Sequence, residues 1–585
     1  MVCRIAFMFY QWHQTQALNF GEVLMPNLLG LRMDAAMTGY WLIIPGMALV
    51  LSFYKPAISK WIIGVTFYGT VIISCAIVVA DLELYHHWGF RMDTTPLLYT
   101  GSEGVGSVSI WRLLSLAFIF MILMLALHFG FRKFIWRNLN FDTGHWKQSA
   151  LMFACVALLF IPIRSSFRVA PLNTGVVYFH KTNPYPNHAG INVVWNFCKS
   201  LVSDNSFRYP THLVDDNLDN EVFQNMMASS DSVVKVINQP NPNVILIILE
   251  GFTAKVIEPL GGLPGITPNL NQLCGEGILF DDFYASGDRT DKGIISILSG
   301  YPAQPKTSII KYPNKTQSLP SLPRALAAQG YRTSFVYGGD IGFANMESYL
   351  SIVGFDHITE DDDFDVTQNV SKWGVHDEFV FARLLAESDS ARTPFFKTML
   401  SLSSHEPFDV PSGLPEKRDE ESLFLNSCTY TDTWLGNFIH QAKQKKWWRN
   451  TLIVVTADHG HRSPGKSPNH VRERFKIPML WLGGAIDSAK QIHTTGNQTD
   501  IVNTLLGQIA KPQGQFTFSK NLLSNQVEPF SVYAFNNGFG FLAPGVEFVY
   551  DFDLKNYIDQ AGAAEKDFVR GKSYMQQLFK DYNKR

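Results

Sequence analysis

Apolar residues are distributed unevenly along the chain, and the unevenness divides it near residue 164. Before that point four runs contain no Asp, Glu, Lys or Arg: Ala36 to Tyr54, Trp61 to Ala80, Leu113 to Phe131 and Ser149 to Ile163. A helix crossing a bilayer core needs about 20 residues, with a lower limit of about 17, so the first three have the length and the fourth is marginal. One such run is ordinarily compatible with a buried soluble helix. Four in close succession predict a transmembrane helical bundle over 1–163. Cys3 to Tyr10 is apolar but too short to span; it reads as the remnant of a further span, and no cleavable signal peptide is recognisable there.

After Ile163 the pattern changes twice. Residues 164–241 read as a connector, with a loop signal at Asn183-Pro-Tyr-Pro-Asn187. Ile191, Val194, Trp195, Cys198 and Leu201 recur at helical spacing, which predicts an amphipathic helix packed on the membrane surface or on the following domain. From residue 242 to 585 apolar runs alternate with helical stretches. Val244–Leu249 has the continuous apolar character of a strand buried on both faces of a parallel sheet. Similar strands are expected at Thr333–Tyr337, Phe395–Leu402, Leu452–Thr456 and Ile477–Leu482, with helices at Leu322–Gln329, Asp377–Glu387 and Glu421–Gln444 between them. This alternation predicts an α/β domain, mostly parallel, with helices on both faces. Phe530–Phe552 carries Asn-Asn-Gly and Ala-Pro-Gly turns and reads as a smaller antiparallel part before a last helix.

Composition adds constraints. At 585 residues the chain is too long for one ordinary core. A net charge of -2 leaves no electrostatic case for nucleic acid as a partner. The six cysteines show no CxxC spacing and read as isolated buried thiols. Basic residues concentrate in two short loops: Lys55 and Lys60 after the first span, and Arg132, Lys133, Arg137 and Lys147 after the third, set against Asp142. The loop between them, Asp81 to Arg112, holds Asp81, Glu83, Asp93 and Glu103 against Arg91 and Arg112. Basic loops stay in the cytoplasm, so everything after Ile163 is expected outside the cytoplasmic membrane, anchored by a multi-pass region.

Ligands of open α/β sheets gather beyond the carboxyl ends of strands, where this chain carries its chemistry. Glu250 follows the first strand; alone it could be a turn former or helix cap. Asp458-His459-Gly460 follows another strand, and a carboxylate beside an imidazole suits Zn or Mn. Thr290, in Ser286-Gly-Asp-Arg-Thr290-Asp-Lys-Gly293, precedes the helical stretch Ile294–Leu298. It could be a simple N-cap. A helix N-terminus also attracts phosphate, so a hydroxyl there would meet such a group, and a bound cation would activate it.

Glu250, Thr290, Asp458-His459 and the later Phe475-Lys-Ile-Pro478, preceded by several apolar spans, together resemble the lipoteichoic acid synthase branch of the alkaline phosphatase and sulfatase superfamily. The resemblance implies one divalent metal ion, Mn or Zn, held by Glu250, Thr290, Asp458 and His459, and a covalent phosphothreonine. It also implies a membrane phospholipid as donor of a phosphoryl head group and an envelope glycan or lipid as acceptor. His405, in Leu402-Ser-Ser-His-Glu-Pro-Phe408, is similar to the histidine that the family places near the substrate phosphate. Asp340, in Tyr337-Gly-Gly-Asp340, resembles a substrate-pocket acid. His470, twelve residues after Asp458, has the spacing of a histidine in related phosphoethanolamine transferases.

Two departures qualify this picture. The family's Trp-Asn-Arg is replaced here by Phe343-Ala-Asn-Met346, which puts polyglycerol phosphate synthesis in doubt. The Cys- or Ser-x-Pro-x-Arg signature of true sulfatases is missing around Thr290. The expectation is head-group transfer of the phosphoglycerol or phosphoethanolamine type. The alternatives are a tethered phosphate or sulfate ester hydrolase and a catalytically silent envelope scaffold.

Overall fold

The computed structural model describes residues 1–88, 91–94, 110–141, 146–165, 171–180, 183–202, 208–230, 232–411, 419–509, 515–536, 538–552 and 554–585. The chain forms two compact units, Met1–Phe207 and Arg208–Arg585. The division falls inside the stretch read as a connector.

Among the described residues of the first unit four helical stretches are long and apolar enough to cross a membrane: Phe20–Ser52, Pro56–Tyr85, Leu114–Asn138 and Trp146–Arg164. They mark a membrane protein. The first begins well before the apolar run, because Asn19 and Glu22 close a reciprocal capping box on its amino end. The second runs on to Trp88, so Asp81 and Glu83 are helical and not loop residues as expected. Their charges are absorbed locally: Asp81 lies 2.9 Å from Arg91, and Glu83 accepts from the Tyr10 hydroxyl at 2.7 Å. Glu103 and Asp142, counted among the loop charges, lie outside the described residues. The short apolar stretch at the beginning is a helix, Val2–Tyr10, whose Phe7 and Met8 cluster with Leu82, Tyr85, Tyr185 and Ala189.

The loop reading of Asn183–Asn187 is overturned. Pro184–Gly190 is helical, because Asn183 accepts from the Tyr185 N–H as an N-cap and proline suits a first helical position. The amphipathic helix is present at Val193–Val202. Its end is tied to the spans, with Asn192 donating to Asp34 at 2.9 Å. All six cysteines are free, but only Cys75, Cys274 and Cys428 are buried, so the expectation of buried thiols fails for Cys3, Cys155 and Cys198.

The second unit is built on an eight-stranded sheet in the order β5-β4-β6-β1-β7-β8-β2-β9. These strands are β1 (Asn243–Leu249), β2 (Ile278–Phe280), β4 (Arg332–Tyr337), β5 (His357–Thr359), β6 (Phe395–Leu400), β7 (Thr451–Ala457), β8 (Met479–Leu482) and β9 (Lys490–Ile492). All seven residues of β1 are buried, as expected of a central parallel strand. Only β8 runs against its neighbours. The strands that pattern reading missed, β2, β5 and β9, have three residues each, too few to show a periodicity. A two-stranded pair joins β3 (Phe283–Tyr284) to β10 (Gly496–Asn497). The tail forms a separate antiparallel sheet of β11 (Ser531–Phe535), β12 (Gly538–Ala543), β13 (Val546–Asp551) and β14 (Asn556–Ala561), followed by the helix Glu565–Lys584.

Candidate active site

Sheet register brings the first two candidate ligands together. Leu249 of β1 pairs with Ala457 of β7, so the next residues, Glu250 and Asp458, leave adjacent strands at the same level. Gly251 then turns the chain in the left-handed region, φ 63°, and its N–H donates to Asp458 Oδ1 at 2.8 Å. The His459 N–H donates to the same oxygen at 2.8 Å. Asp458 Oδ2 is buried with no hydrogen-bond partner.

His459 turns its ring back toward the carboxylates. Nδ1 lies 2.8 Å from the Gly460 carbonyl, which assigns its hydrogen there and leaves Nε2 facing inward. Nε2 is 3.3 Å from Glu250 Oε1 and 3.6 Å from Asp458 Oδ2. One ligand atom from each of Glu250, Asp458 and His459 lies within 4.8 Å of the others. Burial, reinforced by the Glu250 charge, pushes the Asp458 carboxyl up to about 7. Burial opposes a charged His459, yet the two carboxylates outweigh it and raise the imidazole to about 10. Burial likewise penalises Glu250, but His459 beside it holds that carboxyl down at about 2. A proton on His459 offsets only one of the two carboxylates, whereas a divalent cation among the three offsets both. The orphaned, buried Asp458 oxygen and the mixture of hard oxygen and imidazole donors fit a divalent metal ion.

Thr290 is the first residue of the helix Thr290–Ser299, whose N-cap position belongs to Arg289. The simple capping role therefore does not describe it. Its hydroxyl instead donates to Glu250 Oε2 at 3.1 Å. The helix reaches the Glu250, Asp458 and His459 set because Gly293 packs on it: a Cβ there would stand 2.0 Å from the Asp458 carbonyl oxygen.

His405 lies beyond β6, with Nδ1 2.8 Å from the Glu406 carbonyl and its ring 4.4 Å from that of Trp373. It is close enough for its charge to act on Glu250. Trp373 Nε1 donates to the same Glu406 carbonyl at 2.7 Å, and its ring also packs on Phe343, 5.2 Å away. Asp340 follows β4 and accepts from the Gly342 N–H at 2.8 Å. His405 thus follows the strand beside β1 in the sheet order, and Asp340 follows the next strand out. His470 lies in the segment between β7 and β8: its carbonyl accepts from the Tyr533 hydroxyl at 2.7 Å and its ring packs toward Phe535. Neither His405 nor His470 contributes to the close ligand set.

Sequence reading passed over the residues that hold this arrangement. Ser401 accepts from the Glu250 N–H at 2.8 Å, and Ser404 donates to the Glu250 carbonyl at 2.6 Å. Asp377, fully buried, accepts from the Leu402 N–H at 2.7 Å and the Thr431 hydroxyl at 2.6 Å. Serines after a strand are too common to signal such roles, and the partners of Asp377 lie on other elements.

The Sulfatase family model matches residues 242–510. Phosphoglycerol transferase I of Xanthomonas campestris is 26% identical over 315 residues, covering 50% of this chain and 44% of that protein. A lipoteichoic acid synthase-like protein of Bacillus subtilis is 25% identical over 316 residues, 50% of this chain and 51% of that protein. The chain therefore spans about half the length of the curated relatives it matches. A crystal structure of an alkaline phosphatase superfamily protein from Vibrio parahaemolyticus superposes with a TM-score of 0.56 at 26% identity, covering 64% of this chain and 97% of that one. Residues 242–510 are a sulfatase domain, in a chain whose homologues include phosphoglycerol transferases and lipoteichoic acid synthase-like proteins and whose structural neighbours lie in the alkaline phosphatase superfamily.

Proposed function

We propose that this chain moves a phosphoryl head group, of the phosphoglycerol or phosphoethanolamine type, from a membrane phospholipid to an envelope glycan or lipid through a phosphothreonine at Thr290. The observation that carries this reading is the Thr290 hydroxyl at the head of a helix, bonded at 3.1 Å to a carboxylate of the Glu250, Asp458 and His459 set. The names of the Xanthomonas and Bacillus relatives support a phosphoglycerol-type transfer.

Glu250, Asp458, His459 and Thr290 would hold one Mn or Zn ion, which would lower the pKa of the hydroxyl and offset charge on the phosphoryl oxygens. Glu250 receives the hydroxyl hydrogen bond and so aims Oγ1. The helix N-terminus favours the anionic phosphoryl group in front of it. As Oγ1 attacks, its proton passes along the hydrogen bond to Glu250 Oε2, to return when Oγ1 is released in the second step; an O–P bond forms and the P–O bond to the lipid alcohol breaks, the alcohol leaving after taking a proton. His405, with Nδ1 committed to Glu406, has Nε2 to supply that proton. In the second step the acceptor hydroxyl gives a proton to Nε2 and forms its own O–P bond as the Oγ1–P bond breaks. We assign Asp340 and His470 to the substrate side of the site.

If water replaces the acceptor, the same residues make an ester hydrolase, a reading favoured by the match to the Sulfatase family. Turnover of a labelled phospholipid with and without acceptor separates the two. The covalent route is tested by quenching the enzyme on phospholipid without acceptor and mapping the modified peptide. A head group phosphodiester on the peptide containing Thr290 is expected. Its absence under proven turnover, together with an active Thr290→Ala, overturns the reading.

We also propose that 1–163 is the multi-pass anchor, that 164–241 is the connector, and that the catalytic domain, 242–585, faces outward. The basic loops after the first and third spans support this orientation by standing at one end of the helical unit. Lys60 donates to the Leu139 carbonyl at 3.3 Å and lies over the Trp136 ring. A reporter fused after Arg585 that works only outside the cytoplasm is expected to be active; strong activity from a cytoplasm-only reporter overturns the orientation.

A further inference from the structure

The amide of Gln498 is fully buried, at 0% exposure, and every hydrogen bond it makes falls on a segment that carries the proposed chemistry. It follows β10, while the metal ligands Asp458 and His459 follow β7, a strand of the other sheet. Nε2 donates to the Ala457 carbonyl at 2.7 Å and to the Asp458 carbonyl at 2.6 Å. Oε1 accepts from the Ser286 N–H at 2.9 Å. Ser286 opens the segment that ends at Thr290. The Gln498 backbone is anchored in turn, its N–H donating to the Tyr284 carbonyl at 3.0 Å.

From these bonds we propose that Gln498 is a positioning residue that fixes the distance between the Thr290 segment and the Asp458–His459 strand end. Only a primary amide serves here. It presents two N–H groups to two carbonyls and an acceptor to an amide N–H at once. A carboxylate would face two carbonyl oxygens across less than 3 Å, and a thioether of similar length would leave three buried backbone groups without partners. Gly293 approaches the same Asp458 carbonyl, where a Cβ on it would be only 2.0 Å away. Both the helix that begins at Thr290 and the Gln498 amide therefore meet Asp458 at that oxygen, and a shift of either disturbs the placement of Asp458 relative to the hydroxyl.

The inference rests on the proposed roles of Thr290 and Asp458. Its test uses the full-length protein in detergent, with Mn as the metal probe and a labelled phospholipid as donor. Gln576 supplies a matched control: it is also 0% exposed and also bonds three backbone groups, at Leu213 and Val214, none in the site. In Gln498→Met, kcat is expected to fall about tenfold or more with the donor KM within about twofold, and Mn affinity by calorimetry is expected to weaken severalfold. In Gln576→Met the melting temperature falls while kcat per folded protein and Mn affinity hold. If Gln498→Met does not fold, Gln498→Asn, which keeps the amide on a shorter arm, is expected to show the same split in weaker form. Melting losses in both variants with no change in kcat or Mn affinity would overturn the proposal. The metal titration does not depend on the covalent route. An active Thr290→Ala alongside weakened Mn binding in Gln498→Met would sink the phosphothreonine and leave Gln498 as the brace of Asp458.

Discussion

The two units of this chain solve opposite packing problems with the same side chains. In Arg208–Arg585 the central strands β1, β6 and β7 bury every residue, and polar groups collect where the strands end. In Met1–Phe207 the apolar side chains point outward: Trp111 is 78% exposed, Leu151 67% and Phe118 57%. Charged groups lie inside instead, with Arg4, Asp81 and Arg91 all buried. The inversion follows from the solvent. In hydrocarbon an exposed leucine costs nothing, and an ion is stable only when paired and covered. The lesson concerns buried charge. The Asp81–Arg91 pair sets one carboxylate against one guanidinium at 2.9 Å, whereas the Glu250, Asp458 and His459 set gathers two carboxylates around one imidazole and keeps Asp458 Oδ2 without a hydrogen-bond partner, the pattern of a candidate cation site.

That contrast can be broken at several points. The largest effect is expected at Asp458→Ala, which removes the oxygen that organises the Gly251 and His459 backbone and one proposed ligand. Turnover should fall by about 10³-fold or more, with loss of bound metal measured on the same preparation. Full activity in a rigorously chelated wild-type sample would end the metal reading.

Removing one partner of the Asp81–Arg91 ion pair should damage the fold and not the chemistry. Asp81→Ala strands Arg91, with an expected cost of about 3–5 kcal/mol seen as a lowered melting temperature in detergent. The double change Asp81→Leu with Arg91→Met should recover much of it. If the double variant is as unstable as the single, the pair is a net source of stability and the neutral-brace view is wrong.

A core truncation and a surface truncation sharpen the comparison further. Ile247→Ala in the middle of β1 should cost about 2–5 kcal/mol, because the strand is buried on both faces. Phe118→Ala removes a larger side chain from the helical unit and should shift stability by no more than about 0.5 kcal/mol, since more than half of the residue is already exposed. Equal effects from the two would mean that the Phe118 face is an interface.

Much of this was legible without coordinates, because its signals are local. Apolar runs free of charge identified the spans, and buried strands such as Asn243–Leu249 announced themselves by continuity. Glu250, Asp458-His459 and Thr290 stood out through residue type at strand or helix ends. Reading failed where a local signal had two outcomes. Asn183-Pro-Tyr-Pro-Asn187 looks like a turn, yet Asn and Pro are also the residues that start a helix. Asp81 and Glu83 looked like loop charges because the partners that make them tolerable, Arg91 and Tyr10, are supplied from other segments.

The sequence by itself therefore determined the long apolar helices, the mostly parallel α/β domain and the identity of the residues at the candidate site, since periodicity and residue chemistry are properties of neighbours along the chain. Tertiary structure alone decided the rest. The register of β1 on β7 puts Glu250 beside Asp458. The near-contact of Gly293 with Asp458 brings Thr290 to them. The arms of Ser401, Ser404 and Gln498 hold the strand ends in place. Each depends on a distance between residues 40 to more than 200 positions apart in the chain, and no local pattern encodes a distance of that kind.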